Sequence, residues 1–200
     1  MDKTGFFICI EGLDGCGTTT QAKLLVSNLL KKGFNAVYTT EPSCGQIGTF
    51  IKKFCLHGGK RVSGIVESLL FAADRYQHLE TEVIPAIKQG KIVVSDRYVY
   101  SSFAYQGSAG LDLEWIETIN THSIHADLVI FVDVDPLVVM QRLKPEKSVM
   151  ENLNTQKKVR KIYMEFVRKK ELILIDGSKS IKEVAEAILA EVLSLIEDEE

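Results

Sequence analysis

The sequence has only four cysteines in 200 residues, Cys9, Cys16, Cys44 and Cys55. They are too few and too irregularly spaced for a disulfide framework, and no CxxC or Cys/His pattern has zinc-site spacing. They read as free thiols in a reducing compartment. An excess of positive charge is also missing, since 24 Lys and Arg against 27 Asp and Glu leave a formal net charge of -3. Such a chain has no broad attraction for a nucleic-acid backbone, so an anionic partner has to be held locally, by individual charges and backbone amides. No apolar run reaches spanning length, and Met1 to Gly5 lead into the first short apolar run without a cleavage signal. The expectation is a soluble, cytoplasmic protein that binds neither a nucleic-acid polymer nor a membrane. Internal repeats, low-complexity stretches and interdomain linkers are absent as well. A content of 46% hydrophobic residues over this length suits one domain, residues 1–200, with small mobile insertions.

What is present is an alternation of short apolar runs with helical periodicities. Phe6 to Glu11, Asn35 to Thr40, Lys91 to Ser95, Asp127 to Val132 and Glu171 to Ile175 read as five buried strands. Gln21 to Lys32 carries Ala22, Leu25, Leu29 and Leu30 at helical spacing and is ended by Gly33. Ile65 to Gln89 reads as a long helix bent near Pro85 and closed by Gly90, and Ile181 to Ile196 as a last helix before an acidic tail. Continuous apolar strands alternating with helices indicate a parallel sheet covered on both faces.

Gly12-Leu13-Asp14-Gly15-Cys16-Gly17-Thr18-Thr19 follows the first strand with the two glycines of the phosphate-binding GxxxxGK[ST] pattern and its hydroxyl at Thr19. Only the lysine is absent, replaced by Thr18. Such a loop curls so that successive N–H groups point at an anion, with the following helix N-terminus adding partial positive charge. Gly12 to Thr20 are therefore candidate ATP-binding residues, with Thr19 on Mg2+. A tight turn without a ligand is the other reading of a loop that departs from the strict pattern. Thr18 removes the charge that normally spans the terminal phosphates, so either another cation substitutes or catalysis is weak.

Val94-Ser95-Asp96-Arg97-Tyr98 and Ser101-Ser102-Phe103-Ala104-Tyr105-Gln106-Gly107 closely resemble the thymidylate kinase signature, a strand ending in DRY followed by S-x-x-A-Y-Q-G. Leu70-Phe71-Ala72-Ala73-Asp74-Arg75 with His78 resembles that family's F-x-A-x-R-x-x-H helix, and Glu41-Pro42 its E-P loop. The resemblance implies an α/β, P-loop NTPase-type fold: a doubly wound five-stranded parallel sheet with helices on both faces and a short lid at about residues 144–152. It also implies transfer of the terminal phosphate of ATP to dTMP, with Mg2+. A homodimer would form through the helices between Ile65 and Gln89 and between Tyr98 and Thr121.

On this resemblance Phe71 stacks on thymine, Arg75 bonds its carbonyl edge or the phosphate, and Ser101 or Ser102 reads the base. Tyr105 lies near the sugar, Asp14 near the 3'-hydroxyl, and Glu41 and Gln106 belong to the same acceptor pocket. Asp96 is suited to holding Mg2+ through water or orienting the acceptor phosphate, and Arg97 offers a fork for a monophosphate. Arg142 is the candidate for stacking on adenine, or else an ordinary surface charge. Gly15 and Cys16 provide no catalytic arginine, which leaves Lys144 and Lys147 of the lid as candidate replacements for the missing charge.

Two other functions compete. One is a degenerate kinase that binds nucleotide in a regulatory or scaffolding role. The other is a deoxynucleoside kinase, whose neutral acceptor would leave the cations of Arg75 and Arg97 uncompensated. No NKxD segment points to a guanine-specific GTPase, and the four histidines show no metal spacing.

Overall fold

A computed structural model describes residues 5–56, 62–142 and 152–198. Five strands form one sheet: β1 (Phe7–Gly12), β2 (Ala36–Thr40), β3 (Ile92–Asp96), β4 (Leu128–Asp133) and β5 (Ile173–Asp176). Their order is β2-β3-β1-β4-β5 and every pairing is parallel. All residues of β1 and β3 are buried. This is why these strands read as unbroken apolar runs: crossover helices cover both faces of the sheet.

Strand order decides where a ligand can enter. The chain leaves β1 toward β2 on one side and later returns from β3 to β4 on the other. The carboxyl end of β1 therefore opens between its two neighbours, with Ile10 opposite Asp96 and Gly12 opposite Val132. Open parallel sheets bind ligands at such a reversal.

Helix α1 (Thr18–Lys31) starts three residues before its apolar periodicity, because its first turn is made of hydroxyl residues. It packs against α9 (Ile181–Asp198) and the sheet, and its buried residues include Ala22, Leu25 and Leu29. The run expected as one bent helix is α3 (Gly64–His78), a π-helical turn at Leu79–Val83, and α4 (Ile84–Lys88). Pro85 falls in the first turn of α4, where a missing N–H is tolerated, and the wider turn before it takes up the irregularity. The other helices are α2 (Gln46–Phe50), continued by a π-helical stretch at Ile51–Leu56, α5 (Val99–Ser108), α6 (Leu113–Ile119), α7 (Pro136–Arg142) and α8 (Leu153–Arg168). Tyr163 of α8 stacks on Phe131 of β4 with ring centroids 4.6 Å apart, fixing α8 beside the carboxyl end of the sheet.

Candidate active site

The loop between β1 and α1 has the shape of a phosphate cradle. Gly17 caps α1 with φ 109°, a left-handed conformation, and a Cβ there would meet nothing within 4 Å. Its requirement for glycine comes from the backbone alone. At Gly12 the requirement is close approach, since a Cβ would run into the Cys16 sulfur. Burial pushes the Cys16 thiol up to about 12, so it stays neutral inside the loop. Leu13 is fully buried in the core and contributes only backbone, its carbonyl accepting from Cys16 N at 3.1 Å. Thr18, at the position of the absent lysine, is also buried, whereas Thr19 and Thr20 are exposed.

Across the reversal point, the Thr19 hydroxyl donates to Oδ2 of Asp96, tying the start of α1 to the end of β3. Tyr38 donates to the same oxygen at 3.4 Å. The other carboxylate oxygen, Oδ1, is buried and, among the described residues, has no hydrogen-bond partner. A hydroxyl and a carboxylate with an unused buried oxygen are hard donors that fit Mg2+ and its waters.

Arg97 joins the loop to the helix that follows DRY. It sits at φ 75°, so the chain turns sharply between β3 and α5. Nη1 donates to the Gly12 carbonyl at 2.9 Å and to Ser101 Oγ at 3.1 Å, while Nη2 donates to Asp14 Oδ1 at 2.5 Å. The guanidinium lies 5.2 Å from the centre of the Tyr105 ring, and the Tyr105 hydroxyl accepts from Asp14 N at 2.9 Å. Burial works against the charge of Arg97, but Tyr105, Asp14, Tyr163 and Asp96 outweigh it and hold the guanidinium firmly protonated. Asp14, Arg97, Ser101 and Tyr105, expected separately from sequence, thus form one connected group at the rim of the loop.

The family model described as thymidylate kinase matches residues 10–188. The chain belongs to the thymidylate kinase family. It is 40% identical over 195 residues to a probable thymidylate kinase of Thermococcus onnurineus, covering 92% of this chain and 95% of that protein. Identity to a probable thymidylate kinase of Pyrobaculum aerophilum is 41%, covering 95% and 97% of the two chains. A thymidylate kinase of Thermoanaerobacter sp. is 37% identical, with 92% and 96% covered.

The remaining residues carried over from the thymidylate kinase pattern fall into two groups. Glu41, Arg75 and Ser102 make one buried, hydrogen-bonded cluster. Arg75 donates from Nε to Glu41 at 2.9 Å, from Nη1 to Asn120 Oδ1 at 2.5 Å, and from Nη2 to Ser102 Oγ at 3.1 Å and the Tyr98 carbonyl at 3.3 Å. Four of the five N–H groups of a guanidinium are so used among the described residues, and one on Nη1 remains. His78 shares Glu41 at 3.2 Å and also bonds the Thr39 hydroxyl at 2.5 Å, a fully buried hydrogen-bonding role. Gln106 is buried too and donates to Glu67 at 3.2 Å. Phe71 is half-buried and belongs neither to the core cluster nor to the residues packed on it.

Beside the loop, Arg142 at the end of α7 lines a cavity of 350 Å³ together with Cys16, Gly17 and Thr20. Lys144 and Lys147 lie outside the described residues. Sequence reading missed Lys179, which lines the same cavity, and Arg160 of α8, whose Nε and Nη2 both reach the Asp133 carboxylate at 2.7 Å. It also missed Glu11, a fully buried carboxylate one residue before the loop. Burial pushes the Glu11 carboxyl up, although hydrogen bonds from Ser101, Tyr163 and Tyr98 and the charge of Arg97 pull the other way. The available signal was an acid ending an apolar strand, where an unpaired charge is too costly to keep.

Proposed function

We propose that this chain transfers the terminal phosphoryl group of MgATP to the phosphate of dTMP, giving dTDP. The observation that carries the reading is the position of Arg97. Its guanidinium is bonded at once to Gly12 and Asp14 of the donor loop and to Ser101 of the acceptor helix. A cation that joins a glycine-rich loop to the helix after the DRY motif suits an acceptor that is itself a phosphate. Family membership and the identities to named thymidylate kinases support the same substrate.

The chain's work is alignment and charge neutralisation, because an acceptor phosphate oxygen is already nucleophilic and no covalent enzyme intermediate is needed. The loop amides and the α1 N-terminus hold the donor phosphates. Thr19 and Asp96 would hold Mg2+, which supplies charge to the transferring phosphoryl group. Phe71 would stack on the thymine ring, and the remaining Nη1–H of Arg75 would donate to one acceptor atom at its rim. Arg142 lines the cavity next to the loop and would flank the donor base.

The long apolar residues Ile65, Val66 and Leu69 of α3 and Phe50 of α2 are exposed, which supports burial of that face against a second copy. Sedimentation should give a dimer mass. No described helix is long and apolar enough to cross a membrane, and the four cysteines are unpaired, in keeping with a reducing cytoplasm. Calorimetry tests the acceptor assignment: dTMP should bind and thymidine should bind far more weakly, since only dTMP carries the phosphate for Arg97. Equal affinity for the two would refute it.

A further inference from the structure

Glu11 takes four donated hydrogen bonds from two helices. Oε1 accepts from Tyr98 N at 2.8 Å and from Ser101 N at 3.2 Å; Oε2 accepts from the Ser101 hydroxyl at 2.6 Å and from the Tyr163 hydroxyl at 2.8 Å. Tyr98, at the N-cap of α5, provides no side-chain bond to the first turn of that helix. Glu11 therefore caps α5 from the neighbouring strand, satisfying the Tyr98 N–H and sharing the Ser101 N–H with the Tyr98 carbonyl. The same carboxylate dictates the direction of Ser101. A serine hydroxyl has one proton, and here it points to Glu11, so the lone pairs face the other way. There Ser101 Oγ accepts from Nη1 of Arg97 at 3.1 Å. Arg97 itself is the left-handed residue directly before Tyr98, so both its backbone exit and one of its guanidinium nitrogens are set by groups that Glu11 holds.

We propose that Glu11 is a positioning residue for Arg97: by capping α5 and orienting Ser101, it fixes the guanidinium where the acceptor phosphate must bind. The inference rests on the reading that Arg97 binds the acceptor phosphate. It gives Ser101 a different part from reading the base, that of the link between a buried carboxylate and the arginine. Replacing Glu11 by Gln keeps the size and the acceptor for the two backbone N–H groups but puts an NH2 group where Oε2 was. That group donates to Ser101 Oγ and takes one of its lone pairs, and the hydroxyl proton must turn to the Tyr163 hydroxyl at 3.1 Å or toward Arg97, so the direction that Glu11 imposed on Ser101 is lost.

The test compares Glu11→Gln, Ser101→Ala and Arg97→Gln in the full chain, with dTMP alone and MgATP alone titrated by calorimetry and folding checked by circular dichroism. Glu11→Gln and Ser101→Ala should each weaken dTMP binding by about tenfold or more while changing MgATP binding by less than about twofold, a misplacement effect confined to the acceptor. Glu11→Gln added to Arg97→Gln should weaken dTMP no further. Equal losses for both nucleotides, or additive losses in the double variant, would overturn the proposal, and so would wild-type dTMP affinity in Ser101→Ala, which leaves the buried carboxylate in place should Glu11→Gln not fold. If Arg97→Gln alone binds dTMP normally, the proposal is overturned through its premise, and the acceptor role of Arg97 is lost with it.

Discussion

Replacing Asp96 by Asn should separate stability from activity. Asp96 is 5% exposed, with Oδ2 bonded to Thr19 and Oδ1 buried without a partner among the described residues. An unsatisfied buried polar atom costs about 1–3 kcal/mol, and removing the formal charge relieves part of that cost. Asn retains an oxygen for the Thr19 hydroxyl, but its NH2 takes the unpartnered position of Oδ1 and a charge that supports Arg97 is lost, so the effects oppose one another. The ligand-free variant should therefore melt within about 4 °C of the wild type, given about 2–4 °C per kcal/mol for a protein of this size. Turnover should fall by about 10²–10³, the usual consequence of deleting one preorganised electrostatic group from a transition state. Thermal melts with and without MgATP, beside steady-state rates, give both quantities. A variant that is clearly less stable, with activity lost only in proportion to the unfolded fraction, would refute the reasoning, because Asp96 would then be a structural carboxylate.

Thr18→Lys restores a cation beside the phosphates. A unit charge about 4 Å from a phosphate at an effective dielectric of about 20 is worth about 4 kcal/mol before desolvation, so MgATP should bind at least about tenfold tighter in calorimetry. An unchanged affinity would mean that another group already supplies the charge. Gly17→Ala forces a side chain into φ 109° with open space around it, so the cost is strain alone, about 1–3 kcal/mol in chemical denaturation, and MgATP affinity should fall with it. Iodoacetamide at pH 8 should alkylate exposed Cys44 and leave Cys16 intact, since burial shields that thiol and pushes it up to about 12; rapid Cys16 labelling on peptide mapping would contradict the loop geometry.

The strands were legible to within two residues at either end because parallel strands buried on both faces show as bare apolar runs, as in β1 and β3. The phosphate loop was legible because its glycines answer local backbone demands. The π-helical turn before Pro85 was not, since it changes the helix pitch without changing the apolar character of the segment. Side-chain partnerships were hidden for a different reason. Glu11 and Tyr163 are 152 positions apart, and Asp14 and Tyr105 are 91 apart, distances over which periodicity carries nothing. The motif located Arg75, but only the fold reveals that Glu41, Asn120, Ser102 and Tyr98 occupy most of its donors. Arg75 is thus a buried support with one donor to spare, whereas Arg97 ties the loop to α5.

The most direct test is turnover by the wild-type chain with MgATP, followed as ADP release and as dTDP formed, with thymidine and dUMP as alternative acceptors. One dTDP per ADP is expected, and no thymidine phosphorylation, despite threonine at the lysine position of the loop. Binding of dTMP and MgATP with no dTDP formed would contradict it and leave a nucleotide-binding protein without kinase activity.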